Sequence, residues 1–148
     1  MRSTKRAQYS ELISAPASRV YERMIDLDSY KDWTSAFAEG SYFEGSWAEG
    51  QRIRFLAPNG DGMISEIAVN RPNEFISIRH LGMLAKGVED TESESVRAWA
   101  PAYENYTFVA LPEGTRLVID LDVAEAWEDY MNEAWPKALA RLKAICEG

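Results

Sequence analysis

Thr115-Arg116-Leu117-Val118-Ile119-Asp120-Leu121-Asp122-Val123 places Leu117, Ile119, Leu121 and Val123 in alternation with Arg116, Asp120 and Asp122. A period of two puts the apolar set on one face of a half-buried strand. Just beyond it the period changes: Trp127, Met131, Trp135, Leu139, Leu142 and Ile145 recur at three or four residues, with Glu128, Asp129, Lys137, Arg141 and Lys143 off that stripe. This spacing predicts a long amphipathic C-terminal helix. Pro136 removes one backbone hydrogen bond from it and is expected to bend it. Such a helix must bury its stripe against a sheet, so the strand-to-helix junction sets an α+β architecture.

Upstream, Ala7 to Ile13 alternates loosely and reads as a first strand. Pro16 suits a helix start, because its missing N–H would have no partner there, and Val20, Tyr21, Met24 and Leu27 follow at helical spacing to an end near Asp26. Asp28 or Ser29 can cap a second short helix carrying Tyr30, Trp33 and Phe37. Glycines at 40, 45, 50, 60 and 62 then punctuate aromatic and β-branched segments. Strands are expected near Ser41–Glu44, Gln51–Ala57, Met63–Asn70 and Glu74–Leu84, with turns at Pro58–Gly62 and Arg71–Asn73. Neighbours joined so closely must be antiparallel. Ala85 to Ser95 is acidic and nearly free of large apolar groups, and reads as a solvated loop, a candidate gate. Strand pattern resumes over Trp99–Leu111, turns at Pro112-Glu113-Gly114 and returns through Thr115–Val123. The expected whole is a curved antiparallel sheet of about six or seven strands, with two short helices after the first strand and a long helix across it.

The chain has 148 residues with 46% hydrophobic and 27% charged content, which suits one folded domain over residues 1–148. A formal net charge of -8 repels a phosphate backbone and argues against nucleic acid as a partner. The single cysteine, Cys146, excludes an intramolecular disulfide and a multi-cysteine zinc site, and reads as a packing residue at a helix end. With one histidine, His80, a bound transition metal is not expected, and the acidic stretch lacks the ligand alternation of a calcium loop. No phosphate-cradling glycine motif precedes a helix, and no nucleophile-elbow pattern occurs. No cofactor is expected. The basic start, Met1 to Arg6, is followed by no apolar run of secretory or membrane-spanning length, so a cytoplasmic location without membrane insertion is expected.

Several segments together carry a resemblance to a known family. They are Ile13-Ser14-Ala15-Pro16-Ala17-Ser18-Arg19-Val20-Tyr21, Trp33, Phe43-Glu44-Gly45-Ser46-Trp47-Ala48-Glu49-Gly50 and Gly62 through Arg71-Pro72. To these add Glu104-Asn105-Tyr106-Thr107-Phe108, Gly114-Thr115-Arg116-Leu117 and Trp135-Pro136-Lys137-Ala138-Leu139-Ala140-Arg141-Leu142-Lys143. In them the chain resembles the START-like or SRPBCC superfamily, with its helix-grip fold, and within it the branch related to the Hsp90 ATPase activator homologues. The resemblance spans essentially the whole chain. It implies a cavity between curved sheet and terminal helix, holding a small hydrophobic or aromatic ligand such as a lipid or polyketide. Superfamily relatives that are polyketide cyclases or dehydratases imply an enzymatic alternative, and the branch implies a third, an Hsp90-type chaperone as partner.

Two residues are candidates for acid–base work. His80 shares a strand face with Ile76 and Ile78, and Glu104 shares one with Tyr106 and Phe108. Both pointing inward would make the polar end of a pocket; alternatively His80 is structural and Glu104 pairs with Arg79, Arg97 or Arg116 at the sheet surface. Trp33, Phe37, Ile78, Trp99, Tyr106, Phe108, Met131 and Trp135 are the candidate apolar lining.

Overall fold

Pro16 marks the point where a strand gives way to a helix. In this computed structural model, which describes residues 4–148, strand β1 (Thr4–Ile13) ends and Pro16 stands in extended conformation as N-cap of α1 (Ala17–Ile25), which buries Val20 and Met24. Residues 1–3 of the expected domain lie outside the described residues. Helix α2 (Leu27–Trp33) follows at once and runs into a 3-10 turn at Thr34–Ala36. Its cap is Asp26, not Asp28 or Ser29: α1 stops at Ile25, and the extended backbone of Asp26 lets its carboxylate accept from the Ser29 N–H.

Strands β2 (Tyr42–Gly45), β3 (Arg52–Leu56), β4 (Gly62–Arg71), β5 (Phe75–Ala85), β6 (Val88–Asp90), β7 (Ala102–Leu111) and β8 (Gly114–Ala124) complete the sheet. Its order is β1-β8-β7-β5-β4-β3-β2, with β6 on the β5 edge beside β7, an eight-stranded antiparallel sheet among the described residues. In the β4–β5 pairing, Ile64 faces Gly82 while Ser65 faces His80, and Ile67 faces Ile78 while Val69 faces Ser77. Leu81 and Ala68 are therefore the extra residues of two bulges, which bend and twist the ladder.

The acidic stretch is not a solvated loop. Lys86 and Gly87 both have positive φ (50° and 84°), the geometry of a two-residue hairpin turn, and the chain folds back as β6 against Met83–Ala85. The Asp90 carboxylate then accepts from the N–H groups of Glu92 and Ser93, which holds it below the usual carboxylate range, and Ser93 caps a single helical turn, α3 (Glu94–Arg97). Gly82 makes this possible, because a Cβ there would lie 2.4 Å from the Asp90 carbonyl oxygen. Trp99 consequently sits in the turn after α3 and not in a strand; β7 starts only beyond Pro101, which has no N–H to give a ladder.

Helix α4 (Glu128–Glu147) continues through Pro136 and crosses the sheet. Its buried side is Ala134, Trp135, Ala138, Leu139, Leu142 and Cys146. Trp127 falls off the expected stripe: it lies in a 3-10 turn before the helix and is 55% exposed. Small residues at 134 and 138 let the backbone approach the sheet, while the first turn of α4 overhangs it. Among the described residues no helix is long and apolar enough to cross a membrane. Leu142 is fully buried, so Leu142→Ala is expected to cost about 2–5 kcal/mol in urea unfolding, with β-sheet circular dichroism retained.

Candidate functional site

The bulge at Leu81 brings Ser65, on β4, directly beside His80 on β5, and the β5–β7 pairing sets Glu104 opposite Ile78, next to them on the concave face. Ser65 Oγ lies 2.6 Å from His80 Nδ1, and His80 Nε2 lies 3.0 Å from Glu104 Oε1. The Tyr106 hydroxyl donates to the other carboxylate oxygen, Oε2. In the neutral ring the Ser65 hydroxyl donates to Nδ1 and the Nε2–H donates to the carboxylate, so every heteroatom of the imidazole is used. Arg79 points to the opposite face, where it meets Glu66. Glu104 is thus paired inward with His80 and not with Arg79 at the surface.

Two connected chambers open on this chain. An outer one of about 480 Å³ is bordered by Tyr30, Phe37, Phe55, Met63, Met83, Trp99, Ala102, Leu121, Trp127 and Met131. An inner one of about 200 Å³ adds Trp33, Trp47, Ile78, Tyr106 and Trp135. His80 and Glu104 border both and so stand at their junction, 9% and 19% exposed in their side chains. The Phe55 ring stands edge-on to the His80 imidazole at 6.0 Å. On the helical side, the Tyr130 hydroxyl donates to the Phe37 carbonyl and ties the first turn of α4 to the segment after α2.

Burial and the nearby Glu104 charge push the phenols of Tyr30 and Tyr106 well above their ordinary value, so both remain protonated donors. Ser65 is fully buried and borders neither chamber. A Ser–His–Glu sequence of contacts is present, yet a substrate in the chambers meets the imidazole and not the serine. Ser65 therefore positions the ring.

All the sequence-derived candidates border a chamber except Phe108, which lies further along β7 and packs edge-on against Tyr21 of α1, 5.8 Å away. It shares the Glu104 face, but the sheet has by then passed under α1. Sequence reading missed Tyr30, Trp47, Phe55, Met63 and Ser65 as site residues. The aromatics among them lay in segments already read as helix or hairpin, but which strand faces converge depends on two bulges that leave no pattern in the sequence.

The fold places the chain among solved structures. A solution structure of the Aha1 dimer from Colwellia psychrerythraea superposes with a TM-score of 0.74 at 18% identity, over 97% of this chain and 96% of that one. The chain has the helix-grip fold. A crystal structure of a Mesorhizobium loti protein also gives 0.74, at 14% identity over 95% of each chain. DynU16, from the dynemicin biosynthetic locus, gives 0.64 at 18% identity over 97% of this chain and 47% of its own. No family model and no curated protein matches the sequence. In the helix-grip arrangement the chambers described here occupy the space between sheet and terminal helix.

Cys146 is fully buried, and desolvation pushes its thiol up to about 11 despite the opposing charges of Arg23 and Arg19. Because the neutral form is favoured, a thiol-specific disulfide reagent at about pH 8 is expected to label denatured protein readily and native protein only as it opens. Ser65→Ala leaves His80 Nδ1 without its donor at full burial. It is expected to cost about 1–3 kcal/mol in urea unfolding and to shift the imidazole nitrogen resonances, whereas a serine unconnected to the ring would leave those resonances in place.

Proposed function

We propose that the protein binds a small apolar, aromatic-bodied molecule between the curved sheet and α4, with its polar end at His80 and Glu104. The observation that carries this is a cavity of about 480 Å³ walled by aromatic and methionine side chains, with one hydrogen-bonded polar chain at its depth. A volume of that order suits a metabolite-sized ligand, and mostly apolar walls with a few convergent polar groups are what such a ligand requires. Flat rings supply contact area at low entropic cost. The fold likeness to DynU16, from a biosynthetic locus, supports a polyketide-like or aromatic metabolite over a lipid chain.

An enzymatic reading is favoured by one feature, the presentation of the Glu104 carboxylate to both chambers with His80 and Tyr106 holding it in place. With His80 Nδ1 taken by Ser65 and its Nε2–H given to Glu104, the group that can take a proton from a bound molecule is the Glu104 carboxylate, while His80 orients that base. Binding is the necessary first step of either reading.

Native mass spectrometry of protein purified from its own host, followed by organic extraction, tests the proposal. A stoichiometric apolar adduct is the expected result. Ala102 pairs with His80 across the β5–β7 ladder and lines the outer chamber, so Ala102→Phe is expected to fill that space. This variant should lose the adduct while keeping a wild-type circular dichroism spectrum; equal adduct in both proteins would place the ligand elsewhere.

A further inference from the structure

The walls of the chambers are unbalanced in charge. Among the described residues neither wall contains a lysine or arginine, while Glu104 borders both chambers and Asp61 and Asp122 stand at the outer one, Asp122 paired with Arg6. Glu104 accepts one hydrogen bond at each oxygen, from His80 and from Tyr106. A carboxylate has roughly four acceptor positions, so about two remain open to a bound molecule. His80 is already committed to that carboxylate and to Ser65, so it offers no free cation to an incoming anion.

A second observation comes from the donors. The indole N–H groups of Trp135 and Trp47 have no acceptor among the described residues, and both tryptophans border the inner chamber. Trp135 is 2% exposed, a depth at which an unpartnered donor is unusual in folded proteins and calls for a partner brought from outside. Glu104 thus asks for a donor, and the tryptophans ask for an acceptor.

We infer that the occupant is an aromatic molecule whose head group donates a hydrogen bond to Glu104 and carries no negative charge, a hydroxyl or a protonated amine, and that carboxylate-headed molecules such as fatty acids are rejected. This rests on the binding reading and specifies its ligand. A hydroxyl donates to Glu104 and still presents lone pairs to an indole N–H. An ammonium group gains the carboxylate within a chamber whose wall includes the rings of Tyr30, Phe55 and Trp47, an aromatic setting that favours a cation. A carboxylate would have to be buried beside Glu104 with no cation to pair with, the arrangement that a low-dielectric interior penalises most.

Four probes with one ring system separate these cases: naphthalene, and a naphthol, naphthylmethylamine and naphthoate of matched substitution, titrated calorimetrically at neutral pH. The naphthol and the amine are expected to bind about tenfold or more tightly than the naphthoate, a difference of ~1.4 kcal/mol per decade. Glu104→Gln keeps the acceptor and removes the charge, and should bring naphthoate to within about threefold of naphthol. In a nitrogen–proton correlation spectrum, the indole resonance lost in Trp135→Phe should move downfield when naphthol binds the wild type. Naphthoate binding as tightly as naphthol to the wild type, or a head-group preference unchanged in Glu104→Gln, overturns the inference while naphthalene binding leaves the cavity reading standing. Failure of all four probes to bind overturns both.

Discussion

Trp135 governs how far α4 stands from the sheet. Its ring lies 6.0 Å from that of Tyr9 on β1, 4.9 Å from Phe37 after α2, and 6.2 Å from both Trp33 and Tyr106, so one side chain joins helix, sheet and the short helices. Beyond it toward the C-terminus, Ala138, Leu139, Leu142 and Cys146 are all but fully buried and the helix is tight against the sheet. Toward the N-terminus, Met131 is only partly buried and Trp127 largely exposed. The helix is therefore pinned at one end and propped at the other by an indole too wide to collapse. The chambers are the space that this wedge leaves, which is how a well-packed core and a cavity coexist in a small domain.

The polar chain from Ser65 to Tyr106 is the second constraint. Burying a carboxylate, an imidazole, a phenol and a hydroxyl is costly unless each finds a partner, and in a low-dielectric surrounding the satisfied bonds reinforce one another. Each member here satisfies another, across strands β4, β5 and β7. Register is thereby coupled to chemistry: a slip of one residue in β5 would turn His80 outward and leave Glu104 and Tyr106 facing an apolar wall. The unpartnered indole donors of Trp47 and Trp135 stand in the wall of the inner chamber that this satisfied chain also borders.

Much of the architecture was legible in residue order. The alternation at Leu117, Ile119, Leu121 and Val123 and the change of period after it mark β8 and α4, and Pro16 marks the start of α1, because these signals come from local backbone geometry. Local chemistry also misled where it was read too simply. Ala85 to Ser95 is nearly free of large apolar residues and reads as a loop, yet Lys86-Gly87 and the capping groups of Asp90 and Ser93 fold it into a hairpin and a helical turn. Of the site, His80, Glu104 and most of the aromatic lining were visible as types on suitable faces.

What the sequence alone determined is the main strands and helices, β6 and α3 apart, with their order and the α+β class, since periodicity and turn chemistry act over a few residues. Only the tertiary structure decided that Ser65 stands behind His80, that Glu104 turns to the imidazole and away from Arg79, and that Phe108 is withdrawn toward Tyr21. Those outcomes depend on two bulges, on the curvature they impose and on the width of the Trp135 ring against three separate elements. Such effects are long-range and cooperative, so no window of neighbouring residues carries them.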